Sequence, residues 1–170
     1  MRLRYRRNLV RLTSWDLEQA DPIAAVSVVA AALADLAAAA LDASLAAARA
    51  DVKFPADQVA ATRLAIIGMG KAGARELNYV SDVDVIFVGE PAALPDGTQL
   101  DEARAVVIAT QLAMQTMRGI QDLAREPALW EVDANLRPEG KDGALVRTLE
   151  SHLAYYERWA KSWEFQALLK

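Results

Sequence analysis

Two side-chain chemistries are almost missing from this sequence of 170 residues. It has no cysteine, which excludes disulfide bonds, thiolate zinc sites and a cysteine nucleophile. It has one histidine, His152, which is too few for a histidine-based metal centre. Any metal must therefore be held mainly by carboxylates, whose oxygens favour the hard cations Mg²⁺ and Mn²⁺.

Strong charge is also lacking, because 19 basic residues against 23 acidic residues leave a net charge of −4. Such a mildly acidic chain has no general attraction for nucleic acid or anionic membranes. The opening MRLRYRRNLVRL lacks the unbroken apolar core of a signal peptide. The longest apolar region, Ile23 to Ala50, is mostly alanine and contains three charged residues, so it predicts a helix of a soluble protein. We therefore expect a cytoplasmic protein with no nucleic-acid partner and no membrane partner.

Hydrophobic periodicity predicts an α+β fold, with a small sheet among helices. The pattern over residues 1–57 predicts an N-terminal helical segment, in which a long alanine-rich helix begins at Asp21-Pro22. After residue 57, short apolar runs alternate with helical patterns, which predicts a separate domain over residues 58–170. The final SWEFQALLK stops within a helical pattern, so we expect the chain to be truncated there.

The individual elements follow from the same periodicity. The predicted helices span residues 3–17, 24–50, 70–77, 100–125 and 145–170. The predicted strands span residues 64–67, 82–88 and 129–136. The helix over 100–125 is amphipathic, and its predicted buried residues are Ala103, Val107, Leu112, Met114, Met117 and Leu123.

A glycine cluster with the spacing G-x-G-x-x-G runs from Gly68 to Gly73. Between a strand and a helix, this spacing is typical of dinucleotide-binding folds, where an acidic residue about 20 positions later ends the next strand. Here the acidic pair Asp82 and Asp84 comes earlier and begins the next strand. The intervening residues also leave no room for a full crossover helix. The glycine spacing alone therefore does not predict a dinucleotide site.

The acidic pair fits a different kind of site. Asp82 and Asp84 share one side of the predicted strand, because alternate strand residues share a face, and Val83, Val85 and Phe87 face the other side, into the core. Two adjacent carboxylates repel each other unless a cation lies between them. A solvated strand edge would explain the pair taken alone. The glycine turn before it and a third acid on another predicted strand, Asp133, favour a metal site instead.

Three carboxylates can hold two Mg²⁺ ions roughly 3.5–4 Å apart, which activate an attacking oxygen and neutralise a leaving phosphate. The glycine turn fits this chemistry, because backbone N–H groups at a helix start bind phosphate oxygens and Lys71 adds a positive charge. The sequence therefore predicts Asp82, Asp84 and Asp133 as catalytic metal ligands beside a phosphate-binding turn.

The chain resembles a known family in three stretches, GMGKAGARELNYVSDVDVIF, VDANLRPEGKDGALV and WEFQALLK. The order G-x-G, then D-x-D on a strand, then a single later aspartate is similar to the DNA polymerase beta-like nucleotidyltransferase superfamily. The three stretches together resemble the glutamine synthetase adenylyltransferases. The resemblance implies a nucleotidyltransferase-like small mixed sheet flanked by helices, with Mg²⁺ or Mn²⁺ as cofactor and ATP or ADP as nucleotide.

The resemblance also implies roles for single residues. Gly68 and Gly70 would form the phosphate turn, Ser81 would lie beside the acids, and the metal ligands would be the three aspartates named above. Arg137 lies in the matching stretch L-R-P-x-G. It would have either a phosphate-binding role or a structural role, because a guanidinium group pairs with phosphate in a planar fork.

The family that the chain resembles carries two related catalytic halves on one long chain. The first half removes AMP from glutamine synthetase by phosphorolysis and gives ADP, and the second attaches AMP from ATP to a glutamine synthetase tyrosine. The ending YYERWAKSWEFQALLK is closer to the first half, so we expect the AMP-removing domain. Glutamine synthetase would then be the protein substrate, and a PII-type signal protein is a common partner in that family.

Three alternatives stay open. The first is the AMP-adding half of the same family, and the second is a nucleotidyltransferase that acts on a small molecule or RNA, although the acidic balance disfavours RNA. The third is a non-catalytic regulatory fragment whose acids bind no metal. A rise in melting temperature with Mg²⁺ or Mn²⁺ and a nucleotide would count against that last reading.

Overall fold

The structure, a computed structural model, describes residues 1–169. In that range the helices are α1 (Arg2–Leu17), α2 (Pro22–Asp51), α3 (Ala56–Ala60), α4 (Gly70–Gly73), α5 (Glu102–Gln121), α6 (Leu149–Arg158) and α7 (Ser162–Ala167), with a 3-10 turn at Gly140–Asp142. The strands are β1 (Thr62–Gly68), β2 (Val83–Pro91), β3 (Val132–Asp133) and β4 (Val146–Arg147). This order confirms the predicted α+β class with N-terminal helices.

Strand β2 is the centre of a small mixed sheet. Along one edge it pairs antiparallel with β1, from Thr62 opposite Pro91 to Gly68 opposite Val85. On its other side it pairs parallel with β3 near its start and with β4 further along. The apolar, β-branched composition of β2 suits this central place, since Val85 and Phe87 are fully buried.

Helices α2 and α5 pack against each other, and α5 also packs on β1 and β2. Helix α2 begins where the Asp21 side chain accepts hydrogen bonds from the N–H groups of Ile23 and Ala24. By length and composition alone α2 is apolar enough to cross a membrane, a test that core helices also pass. Here its buried stripe joins the core around β2; that stripe includes Ala25, Val29, Leu33, Ala37, Ala40 and Leu41.

Three predicted elements differ most from those observed. The helix predicted over 70–77 is the four-residue α4, and the strand predicted over 129–136 contains β3 only. The segment 145–170 was predicted as one helix but contains β4 followed by α6 and α7, and Lys170 lies outside the described residues. Helix α6 starts there because Thr148 caps it, its hydroxyl oxygen accepting from the Ser151 N–H. The boundary predicted at residue 57 stays a prediction.

The buried face of α5 is partly different from the predicted one. Leu112 is buried as predicted, and Met114 and Met117 are half-buried. The predictions for Ala103, Val107 and Leu123 were wrong, because all three are exposed. Helix α5 packs against α2 as well as against the sheet, and both contacts decide which of its residues are buried. The buried residues are Ala105, Ile108, Ala109, Leu112, Ala113, Thr116 and Ile120.

Candidate active site

The three predicted metal ligands meet at the junction of β2 and β3. One carboxylate oxygen each from Asp82, Asp84 and Asp133 lies within 4.8 Å of the others. Asp84 and Asp133 are direct partners in the parallel register of the two strands. Asp82 stands just before β2, two residues from Asp84, and is exposed, whereas the other two are half-buried. The alternation predicted for the strand thus brings the carboxylates together.

The opposite face of β2 provides the support for this arrangement. Val83, Val85 and Phe87 are buried in the core, as the sequence predicted. Because side chains alternate along a strand, burial of these three residues holds Asp84 on the outward side. The hydrophobic core therefore fixes which face of the sheet carries the acids.

The electrostatics of the group favour a cation. Burial raises the pKa of Asp84, and the neighbouring charges of Asp82 and Asp133 raise this pKa further, while Lys71 partly lowers it. Among residues 1–169 the ion pairs join Arg6 to Glu126, Arg75 to Asp35 and Arg147 to Glu139, so none of them neutralises the three aspartates. An all-oxygen donor set that has no direct ion pair among the described residues fits a hard divalent cation.

The glycine turn lies directly against this group. The Met69 N–H donates to the Asp84 carbonyl oxygen at 2.9 Å, which joins the turn to β2. Gly70 has φ +54°, and a Cβ built on it would lie 3.1 Å from Asp84 Oδ2. The backbone therefore approaches the carboxylate so closely that a Cβ at this position would press on Asp84, and the positive φ would strain any L-residue there. Lys71 is exposed, and its ammonium group lies 3.4 Å from Asn78 Oδ1.

Two further predicted site residues, Ser81 and Gly68, lie next to Asp82 and at the end of β1, respectively. Ser81 Oγ lies 3.4 Å from Asp82 Oδ1, beside the acids as the resemblance implied. Gly68 ends β1, where a Cβ built on it would stand 3.5 Å from the Gly73 nitrogen. The structure brings all of the predicted residues close to the site, but their roles in binding stay predictions.

Of the two roles predicted for Arg137, phosphate binding and a structural role, its contacts favour the structural role. Its guanidinium donates to the carbonyl oxygens of Ala134 at 2.8 Å, Lys141 at 3.0 Å and Gly143 at 3.1 Å. Burial lowers the pKa of Arg137, and the charge of Asp133 partly opposes this shift. Most of the donors are thus used to hold the loop that follows β3.

The sequence reasoning missed Gln121, the last residue of α5. Its side-chain Oε1 accepts a hydrogen bond from the Val132 N–H at 3.1 Å, one residue before Asp133. The Asp133 carboxylate itself accepts from the Asn135 N–H at 2.7 Å. These two bonds hold the chain at β3, whose observed length of two residues is shorter than the strand predicted over 129–136. No sequence pattern indicated the Gln121 contact, because its partner lies beyond a loop.

A cavity of about 520 Å³ borders Asp133. Helix α5 contributes Met117 and Arg118 to its wall, and the loop after β3 contributes Arg137 and Lys141. Its size lies within the range of small-molecule sites. The site therefore offers an open, partly cationic space next to the carboxylates.

Comparison with known proteins identifies relatives over the whole length of the chain. A family model described as glutamate-ammonia ligase adenylyltransferase matches residues 1–170. Three curated relatives are each named bifunctional glutamine synthetase adenylyltransferase/adenylyl-removing enzyme. Their sequences are 68% identical in Leifsonia xyli subsp. xyli, 54% in Streptomyces avermitilis and 51% in Mycobacterium avium. Each alignment covers 100% of this chain but only 17%, 16% and 15% of the respective relative, so the chain spans about a sixth of their length.

Proposed function

The chain belongs to the glutamate-ammonia ligase adenylyltransferase family, and from this membership we propose that it catalyses Mg²⁺-dependent or Mn²⁺-dependent nucleotidyl transfer on glutamine synthetase. The family expected from the sequence is confirmed by this match. The proposed reaction is removal of AMP from adenylylated glutamine synthetase by phosphorolysis, with release of ADP. The observation that carries the proposal is the group of three carboxylates, whose oxygens lie within 4.8 Å of one another.

In the proposed reaction an oxygen of inorganic phosphate forms a bond to the phosphorus of the tyrosine-linked AMP. The bond between that phosphorus and the tyrosine oxygen breaks, and the tyrosine oxygen takes up the proton that the attacking hydrogen phosphate releases. ADP and the unmodified tyrosine are the products. Atoms and charge balance in this exchange without any oxidant or reductant.

The residues of the chain bind and orient the reactants. Asp82, Asp84 and Asp133 would hold the divalent cation, which when bound neutralises charge on the phosphate oxygens. The bare backbone at Gly70 lies against Asp84, so phosphate groups can approach the carboxylates closely. The charge of Lys71 acts at the same place, since it already offsets part of the raised pKa of Asp84.

A second candidate is the addition of AMP from ATP to a glutamine synthetase tyrosine. Both reactions need the same carboxylates, and the names of the relatives include both activities. The ending YYERWAKSWEFQALLK supports the AMP-removing direction. A cytoplasmic location, a PII-type regulatory partner and the lack of nucleic-acid and membrane partners are predictions that complete this proposal.

The test is an incubation of the intact protein with adenylylated glutamine synthetase, Mg²⁺ and inorganic phosphate, in which release of ADP is followed. The double variant Asp82→Asn/Asp84→Asn removes the carboxylates. Asp51→Asn, at the exposed end of α2, is the matched control for loss of a negative charge. A parallel incubation supplies labelled ATP and unmodified glutamine synthetase.

We expect ADP only when phosphate is present and only when the aspartates are intact, with the Asp51→Asn variant as active as the unaltered protein. Transfer of label from ATP without ADP release would replace the AMP-removing proposal by the AMP-adding one. Inactivity in both directions, or full activity of the double variant, would contradict a catalytic role for this site.

A further inference from the structure

Helix α1 contacts the end of α5, which is more than a hundred residues away in the sequence. The Arg2 guanidinium donates from Nε and Nη2 to the Gly119 carbonyl oxygen, at 3.1 and 3.0 Å. It also donates to the carbonyl oxygens of Asp122 and Glu126, both at 2.7 Å. The last carbonyl groups of a helix have no partner within the helix, and a cation there is favourable. Arg2 thus closes the end of α5 and binds the chain that leaves it.

The residues that follow α5, 122–131, are termed here the α5–β3 loop. Arg6 lies one turn after Arg2 and holds the same loop. Its guanidinium pairs with the Glu126 carboxylate at 3.0 Å and donates to the carbonyl oxygens of Pro127 and Ala128. Arg6 and Arg2 therefore bind the loop at consecutive points along its path.

Aromatic residues extend this contact toward β3. Tyr5 lies between the two arginines on α1, and Trp130 lies in the α5–β3 loop. Both rings pack against the core cluster that contains Val132. One face of α1 therefore follows the loop from the end of α5 almost to the strand.

The strand after the loop has little support of its own. Strand β3 contains two residues, and its register with β2 consists of two pairs, one of which is Asp84 with Asp133. The backbone around it is also held by the bond from the Val83 N–H to the Glu131 carbonyl at 3.0 Å, the bond from the Leu129 N–H to the Ile120 carbonyl and the bond from the Val132 N–H to the Gln121 side chain. The position of Asp133 therefore depends on where the α5–β3 loop is held.

We propose that Arg2 and Arg6 are positioning residues for Asp133, acting through the α5–β3 loop that they clamp to α1. This inference rests on the proposed role of Asp133 as a metal ligand. It makes α1 part of the catalytic unit, because a displacement of α1 would move one of the three carboxylates. Partners that support a metal ligand typically contribute about 10- to 100-fold to metal affinity.

The test compares four variants of the intact protein with the unaltered protein. Arg2→Ala/Arg6→Ala removes both clamps, Arg6→Ala removes one, and Arg2→Lys keeps the charge but loses the planar fork. Arg7→Ala is the matched control, because Arg7 is an exposed arginine of the same helix. The measurements are the Mg²⁺ concentration for half-maximal AMP transfer or removal, Mn²⁺ affinity by electron paramagnetic resonance, and hydrogen exchange of residues 122–134.

We expect the double variant to need about 10- to 100-fold more Mg²⁺ and to bind Mn²⁺ more weakly by a similar factor. Saturating Mg²⁺ should restore most of the maximal rate, and exchange in residues 122–134 should be faster. Arg2→Lys and Arg6→Ala should each show a smaller shift in the same direction, and Arg7→Ala none. If the double variant does not fold, these two single variants still give the result.

A lower maximal rate at an unchanged Mg²⁺ requirement would overturn the inference, because it would show a simple loss of folded protein. Unchanged metal affinity with faster loop exchange would overturn it as well, since the loop would then move without displacing Asp133. Failure of the proposed function is distinguishable, because the unaltered protein would then bind no Mn²⁺ at the aspartates.

Discussion

Gly70 and Asp84 lie so close together that a Cβ on Gly70 would stand 3.1 Å from Asp84 Oδ2. Gly70 also has φ +54°, a conformation that costs an L-residue about 1–2 kcal/mol. We predict that Gly70→Ala lowers stability by about that amount and lowers activity by about tenfold or more, because small displacements of reacting groups are costly. Urea unfolding and the rate of ADP release check the two effects.

The control for this prediction is Gly97→Ala. Gly97 has φ +84°, and a Cβ built there meets no atom within 4 Å. This variant should therefore show a similar loss of stability with unchanged activity. Equal loss of activity in both variants would mean that the contact with Asp84 does not matter.

A second prediction concerns the pH dependence of stability without metal. The pKa of Asp84 is raised in the folded state by burial and by the other two carboxylates, so the folded protein binds more protons than the unfolded chain above about pH 4. The contribution of Asp84 to stability must then fall as pH rises through that raised pKa. In a chelating buffer, Asp84→Asn should be more stable than the unaltered protein at neutral pH, by less than about 1 kcal/mol because the site is partly solvated.

Melting temperatures across this pH range measure the difference between the two proteins. The difference should shrink toward low pH, where Asp84 is protonated, and Asp51→Asn should not reproduce it. Mg²⁺ or Mn²⁺ should stabilise the unaltered protein more than the variant. A variant that is less stable at every pH would show that the carboxylates do not repel one another.

A third prediction separates the two roles considered for Arg137. Its bonds to three carbonyl oxygens should make Arg137→Ala less stable by about 2 kcal/mol, because those acceptors lose charged donors. The KM for phosphate should stay close to that of the unaltered protein. Lys141→Ala is the control, since Lys141 is an exposed residue on the same cavity wall. Unchanged stability with a strongly raised KM for phosphate would indicate direct contact with the substrate instead.

A fourth prediction tests the packing of α2 on α5. A Cβ built on Gly119 would stand 2.1 Å from Ser44 Oγ, and that hydroxyl donates to the Thr116 carbonyl at 2.8 Å. Gly119→Ala should cost about 1–3 kcal/mol through overpacking. Adding Ser44→Ala should recover part of the lost stability, because it removes the Oγ atom and leaves the new Cβ at position 119 at 3.4 Å from the Cβ of residue 44, an ordinary van der Waals distance. A fully stable Gly119→Ala variant would show that the two helices are not in contact there.

How far the sequence predicts the structure depends on how local each feature is. The alternation of Asp84 with Val83 and Val85 was predicted correctly, because successive residues of a strand point to opposite faces and neighbouring residues therefore show the pattern. The predicted length of β3 was wrong, because only Val132 and Asp133 pair with β2, while the Leu129 and Val132 N–H groups bond to α5. Which partner each backbone group finds in the fold is not visible in a local pattern.

Two other features have causes that are distant in the sequence. The buried face of α5 depends on α2 and the sheet together, so the amphipathic pattern alone placed Val107 on the wrong side. The contacts of Arg2 and Arg6 were not predicted, because their acceptors lie 116 to 124 residues away in the sequence. Periodicity describes a single element and contains no information on such contacts.

The central claim is that Asp82, Asp84 and Asp133 form one site for a divalent cation that supports nucleotidyl transfer. The most direct measurement is the binding of Mn²⁺, by electron paramagnetic resonance with ADP present, to the intact protein and to its triple Asp→Asn variant. We predict that the unaltered protein and Asp51→Asn bind Mn²⁺ alike, and that the triple variant loses this binding together with Mg²⁺-dependent turnover. Undiminished Mn²⁺ binding and turnover in the triple variant would contradict the claim.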